Sequence, residues 1–443
     1  MQHQFDVRGL ATAAPDAAAL ASFETALQSL YRFQGDPLDA IRETLSRWPE
    51  FALAHIFRAM VLLGFTERRF ARGAAASLDQ AEALLADVPE RERQLYHAAR
   101  RMLAADWDAA CQLLESLLLD NPLDMLALHT AHNLDFFRGD VWSLRNRINR
   151  VLPCWTADTP GYPHVLGMQA FGLEECNHYP EAEQVARDSL TLMPANPWAV
   201  HALAHVFEMQ GRIDEGIEHL ESRVSDWSVG SGFAYHNWWH LALFYLDRGD
   251  SHRVIELYDE QLGTPPARFA LNMIDAVALL WRLHLLEIDI GSRAEPVAAW
   301  WREQIDSGGA YYAFNDLHAA LALALVSDRE GLLTLRRRLE EATPDDGNIA
   351  LTQQLGLPLV GAIDAHAAGR FTDCARMLAE LRDQAQSSGG SHAQRDLLTL
   401  TLIDAAARGG RKDLAGRYLN ERLVMKPASP MGSRLQERYG LNQ

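Results

Sequence analysis

Residues 201–211 read HALAHVFEMQG, which places His201, His205 and Glu208 at positions i, i+4 and i+7. On a helix these three side chains share one stripe. Further along, HNWWH (236–240) repeats the HxxxH spacing with His236 and His240. That spacing lets one helix offer two imidazoles to a single ion, and a carboxylate beside them completes a donor set suited to Zn, Fe or Mn. The candidate metal ligands are therefore His201, His205, Glu208, His236 and His240. Neither stretch is HExxH, so the metalloprotease arrangement with a glutamate base does not transfer. In a metal-free alternative, histidines and carboxylates in a chamber poor in counter-charge act as acid and base on a bound organic molecule. His201, His205, Glu208, His236 and Glu174 are the candidate catalytic residues on either scheme, for hydrolase- or lyase-type chemistry.

The elements that must carry these residues are helices, because almost every window shows apolar residues at helical spacing. The stretches DWDAACQLLESLLLDNP, YPEAEQVARDSLTLMP and RKDLAGRYLNERLVMKP share a plan in which Ala110, Ala182 and Ala415 each precede a helix-stopping Pro122, Pro194 or Pro427 by twelve residues. Ala105, Gly139, Asn177, Gly211 and Gly249 mark successive turns at spacings of 34, 38, 34 and 38 residues. The tetratricopeptide (TPR) period is about 34 residues. The longer intervals take up two insertions, 152–162 and 225–235, which are placed to cover the mouth of a chamber. Weaker repeats are expected around Gly64, Gly369 and Gly410, and SSGGS (387–391) reads as a flexible connector. The expected fold is an all-α, TPR-like α-solenoid, strongly curved around a central chamber. Residues 1–20 are expected as a loose leader and 21–443 as a single helical repeat domain, with the chamber centred on 129–330.

If each turn residue is numbered 15 in its repeat, Leu203, Ala204 and Phe207 take the packing positions, and His201, His205 and Glu208 face the opposite way, into the groove. The same numbering, with the tryptophans and insertions nearby, gives a candidate ligand pocket. It comprises His129, Asn133, Tyr162, His164, Phe171, Glu175, Trp198, Trp227 and Trp239. Nine of the 17 histidines lie between 129 and 240, where lysine is absent. That lining fits a partly closed chamber for a small molecule better than a solvated face. His132 maps to a packing position, His178 and His219 to the surface, and Trp107 and Trp142 to the core.

With 59 acidic against 41 basic side chains the chain carries −18, which disfavours nucleic acid as a partner because binding it needs a basic face. Cys111, Cys154, Cys176 and Cys374 are scattered and form no CxxC pair, so reduced thiols in a cytoplasm are expected. The first twenty residues lack a basic region followed by an apolar run, and no apolar stretch is long enough to span a bilayer; a membrane is not an expected partner. The runner-up is a non-catalytic scaffold that binds a peptide in the groove, with a protein partner or a second copy of the chain. Against it, the groove offers His and Glu where a peptide-carboxylate clamp needs Lys, Arg and Asn.

Three stretches, GYPHVLGMQAFGLEECNHYPEAE, WAVHALAHVFEMQGRIDEGIEHL and HNWWHLALFYLDRGD, together with DAVALLWRL and FNDLHAALAL, make residues 129–330 resemble the tetratricopeptide repeat protein 38 family. The resemblance implies a TPR-like helical superhelix and no particular reaction. It adds Asp275 and His318 to the candidate pocket.

Overall fold

A computed structural model describes residues 4–264, 268–343 and 348–441. Its helices are reversed by single residues in the left-handed backbone region. Ala105, Gly139, Asn177, Gly211 and Gly249 have φ of 53°, 65°, 64°, 70° and 95°. Such a residue ends one helix and turns the chain back; Ala105 adopts it in spite of its Cβ, at a cost of about 1–2 kcal/mol. Three of these turns are followed by an aspartate that opens the next helix. Asp106, Asp140 and Asp250 accept hydrogen bonds from the amides of Ala109, Ser143 and Arg253. Each carboxylate satisfies an amide that has no helical partner and lies at the positive end of the helix dipole.

The far ends of these helices are set by proline. Asn121, Met193 and Lys426 precede Pro122, Pro194 and Pro427, and all three leave the helical region, with ψ of 67°, 93° and 71°. The ring of a proline crowds the residue before it out of the α conformation. Ala110, Ala182 and Ala415 are fully buried, as small residues at close helix contacts must be. The fold is an all-α, TPR-like solenoid, and no helix among the described residues is long and apolar enough to cross a membrane.

Several details differ from the expectations. Gly64 is right-handed at φ −66°, and the left-handed residue is Thr66 at 57°. Trp142 is 63% exposed beneath the Arg145 guanidinium, because its position faces outward rather than into the core. The 387–391 stretch is no loose connector: Ser391 and Gln394 form a capping box for helix His392–Arg408. Of the expected leader, residues 1–3 lie outside those described. Residues Gln4–Phe5 and Ala11–Thr12 pair as an antiparallel hairpin, and Arg8 grips Glu24 through two hydrogen bonds of 3.1 and 2.6 Å. The chain groups into two compact units, residues 1–202 with 225–234 and residues 203–224 with 235–443. The division passes through helix Pro197–Met209.

The first unit has an interior of rings. His129 and His132 stand edge-on to Trp198, with centroids 5.9 and 5.4 Å away, and His164 stands edge-on to Tyr31 at 4.9 Å. Trp198 Nε1 donates to the Tyr31 carbonyl at 3.0 Å. Gly167 permits this packing, since a Cβ there would lie 2.5 Å from Trp198 Cβ. The 225–235 insertion is tied down within this unit by the Gly232 amide, which donates to the Phe33 carbonyl at 2.7 Å. In the second unit, helices Ile213–Glu221 and Ala234–Arg248 approach closely because Gly216 has no side chain; a Cβ there would stand 2.3 Å from the Phe244 ring.

Two predictions follow from this packing. Burial pushes His129 down to about 4 and His132 and His164 down to about 3. Unfolding restores them to about 6.5, so their contribution is complete above that pH and is lost as pH falls, because the unfolded chain then takes up protons that the folded one refuses. Each histidine should cost up to about 1.4 kcal/mol per pH unit below 6.5. Urea titrations at pH 7 and 5 should show this loss, and His132→Phe should reduce it; an unchanged slope in that variant would refute the assignment. Separately, Gly216→Ala gains about 1 kcal/mol in helix propensity but overpacks against Phe244 by about 1–3 kcal/mol. It should lower the melting temperature, and Phe244→Leu should restore it. A Gly216→Ala protein that melts at or above the wild type would contradict the contact.

Candidate functional site

Helix Ala234–Arg248 carries His236 and His240 one turn apart, and helix Pro197–Met209 carries His205 and Glu208. All four belong to the second unit. One ring nitrogen from each of His205, His236 and His240 lies within 4.8 Å of the others. The rings meet edge-on, with centroids 4.5 Å apart for His205 and His240 and 4.7 Å apart for His236 and His240. His236 stacks on Trp239 at 5.2 Å, and the Arg282 guanidinium lies 5.5 Å from the centroid of the same indole. His205, Trp239 and His240 are fully buried.

Two carboxylates orient this cluster. His236 Nδ1 donates to Asp275 Oδ2 at 2.7 Å, and His240 Nδ1 donates to Glu208 Oε2 at 3.1 Å. An ionised carboxylate can only accept, so Nδ1 carries the proton in both rings and Nε2 keeps its lone pair. Asp275 is held in turn by Gln394 Nε2 at 3.4 Å. Glu208 Oε1 accepts from Lys426 Nζ at 2.8 Å, with both side chains buried.

The electrostatics follow from burial. Desolvation, then repulsion from His240 and His236, holds His205 well below 6.5. Desolvation also lowers His240, against the pull of Glu208. For Glu208 burial works in the opposite sense, but Lys426 and then His240 outweigh it and hold the carboxyl well below the usual carboxylate range. At neutral pH the buried pair His205 and His240 is thus uncharged beside an ionised, lysine-paired Glu208. Neutral imidazoles are the form that binds metal.

The sequence-derived candidates divide between the units. Within the second, His205, His236 and His240 come together, while Glu208 is committed to Lys426 and His240 and orients them. Asp275 lies on His236, and Trp239 is stacked beneath it. His318, fully buried, donates from Nδ1 to the Phe314 carbonyl, 2.8 Å away. Within the first, His201 rests between Phe171 and Phe233 at 5.1 and 4.8 Å. Glu174 and Glu175 end helix Tyr162–Glu175, both buried. His129, His164, Phe171, Trp198 and Trp227 are buried in that unit, and Asn133 and Tyr162 are partly exposed. Rings and neighbouring helices close off the buried members of this set, while Asn133 and Tyr162 keep partial exposure.

Sequence reasoning missed Lys426, Gln394 and Asp396. The chain holds two lysines, Lys412 and Lys426, and that scarcity was the one available sign that a lysine has a particular place. Lys426 follows helix Lys412–Met425 and reaches Glu208 across 218 residues of sequence.

No family model matches the chain. Solved structures align along nearly its whole length. A human IFIT1 dimer with PPP-AAAA is 13% identical, with 94% of this chain and 98% of that chain covered at a TM-score of 0.44. The APC/C hetero-tetramer Cut9–Hcn1 is 12% identical, with 95% and 96% covered at 0.38. Naa15/Naa10 bound to HypK is 12% identical, with 96% of this chain and 67% of that chain covered at 0.26.

Proposed function

We propose that this protein holds a divalent metal ion, zinc foremost, on His205, His236 and His240 and acts on a small molecule there. The observation that carries this reading is the pair of Nδ1–carboxylate bonds, His236 to Asp275 and His240 to Glu208. Metal-binding histidines use this arrangement to fix the tautomer and ring orientation. Three protein ligands leave a fourth position for water or substrate, as in catalytic rather than structural zinc sites. A bound ion would lower the pKa of that water toward neutrality and supply a nucleophile for hydrolysis. A cytoplasmic setting and membership of the tetratricopeptide repeat protein 38 family belong to the same proposal, the latter resting on the stretches quoted above.

Purified protein should carry close to one metal ion per chain by elemental analysis, and a chelator should remove the ion and lower the melting temperature by mass action. His236→Ala and His240→Ala should each lose the ion. Asp275→Asn should keep the fold and weaken metal affinity about 10–100-fold. Metal-free protein whose melting is unchanged by added Zn²⁺, Fe²⁺ and Mn²⁺ would end the proposal.

The Glu208–Lys426 pair needs its own control, because its loss destabilises the fold whether or not metal binds. Glu208→Ala leaves a buried ammonium without its carboxylate and should cost about 3–5 kcal/mol. Glu208→Leu combined with Lys426→Met should recover most of that loss in urea unfolding. If the double variant is no more stable than Glu208→Ala, the ion pair is not what holds this region.

A further inference from the structure

In the first unit Arg8 is bound to Glu24 and Arg91 to Asp124. Arg32 is different: among the described residues no carboxylate pairs with it, and its buried Nε makes no hydrogen bond. It ends helix Ala17–Arg32, and Phe33 then turns the chain at φ 53°. The guanidinium lies 5.9 Å from the centroid of the Tyr31 ring. Its charge also reaches His164, where it is the largest influence on the imidazole after burial.

The groups beside Arg32 are polar atoms held out of water. His164 is 1% exposed and neither of its ring nitrogens makes a hydrogen bond; the Gly161 backbone is the smallest influence on it. His129, 3% exposed, likewise leaves Nε2 without a partner. Buried polar atoms without partners are costly and are rare in folded proteins, so each calls for a group that satisfies it. Aromatic rings form the rim. Phe33 and Phe233 meet edge-on at 4.6 Å, both partly exposed, and Trp198 lies 5.1 Å from the first and 5.9 Å from the second. The insertion that carries Phe233 is fastened to this rim by a bridge between Ser231 and Gln34, beside the Gly232–Phe33 hydrogen bond.

Burial keeps both imidazoles neutral at pH 7, which leaves Arg32 as the one permanent charge among these groups. One guanidinium matches one negative charge, and its planar fork bonds both oxygens of a carboxylate. A neutral imidazole can donate one further N–H to the same anion. We propose that Arg32, His164 and His129 bind the carboxylate of a small aromatic acid, whose ring lies against Phe33 and Phe233. A phosphate dianion is a poorer match, because no second cation stands among these groups. The proposal concerns binding and is independent of a metal on His205, His236 and His240.

The test is calorimetric titration of the full-length protein with benzoate, benzyl alcohol, acetate and inorganic phosphate. Benzoate should saturate the protein. The other three lack either the carboxylate or the ring and should bind roughly tenfold more weakly or less. Arg32→Gln removes no ion pair, so it should unfold in urea as the wild type does while weakening benzoate roughly tenfold or more. His164→Phe keeps a ring against Tyr31 and should weaken benzoate as well. Chelated protein should bind benzoate as untreated protein does, so a protein found to lack metal would remove only the metal reading. Absence of saturation, benzyl alcohol or phosphate bound as tightly as benzoate, undiminished binding by folded Arg32→Gln or His164→Phe, or loss of benzoate together with the metal would each overturn the proposal.

Discussion

A carboxylate removed from water must be matched by a cation, and Glu208 is matched by Lys426 at 2.8 Å. Desolvating both charges costs several kcal/mol each, so the pair is tolerated only where its geometry and remaining hydrogen bonds are satisfied. Glu208 meets that condition by using its second oxygen to accept from His240. The ionised state of Glu208 in turn fixes the proton on His240 Nδ1. Without the lysine, burial would favour a neutral carboxyl group, which could donate rather than accept, and the tautomer of His240 would no longer be set. The histidine cluster therefore depends on Lys426, which acts on it through Glu208.

The same logic explains why Arg282 can lie buried close by. Its guanidinium donates to the carbonyls of Ala278 and Ala393 at 3.0 and 2.6 Å and spreads over the Trp239 face. Burial lowers its pKa, with Asp396 and Glu208 opposing that shift. A guanidinium is more weakly hydrated than an ammonium, and so is better suited to this half-apolar setting. The core of the second unit is thus a graded set of charges: an ion pair, a carbonyl-bound arginine, and neutral imidazoles between them.

The repeat architecture was legible because it depends on local chemistry. A residue that reverses the chain, an aspartate that caps the next helix and a proline that stops it all act within a few positions, so Ala105–Asp106 and Gly139–Asp140 announce their geometry. The i, i+4 spacing likewise put His236 and His240 one turn apart on one helix. Burial was not legible. Numbering within one repeat can say which way His201 and His205 point, but not what stands opposite. Rings from other elements enclose the first, and the second meets the His240 ring and feels the charge of Lys426, from sequence positions that no periodicity connects. Glu208 looked like a metal ligand because its electrostatic partner lies at the far end of the chain. Asp275 was reached only through the resemblance of its surrounding stretch, since a lone aspartate in DAVALLWRL carries no spacing signal.

The separation of Glu208 from Lys426 also gives this protein a history during its synthesis. At translation rates of about 5–20 residues per second, the helix bearing Glu208 leaves the ribosome roughly 10–45 seconds before its lysine exists. Over that interval the carboxylate has water as its alternative to Lys426, and the surface destined to cover it cannot close without either leaving a bare charge or protonating it. Gly211, whose Cβ would lie 2.4 Å from the Pro427 carbonyl, keeps a landing place for the late segment. Residues made long after Glu208 are thus the ones that seal the interior of the second unit, and a nascent chain stalled before residue 426 is an unsealed protein with its histidines wet.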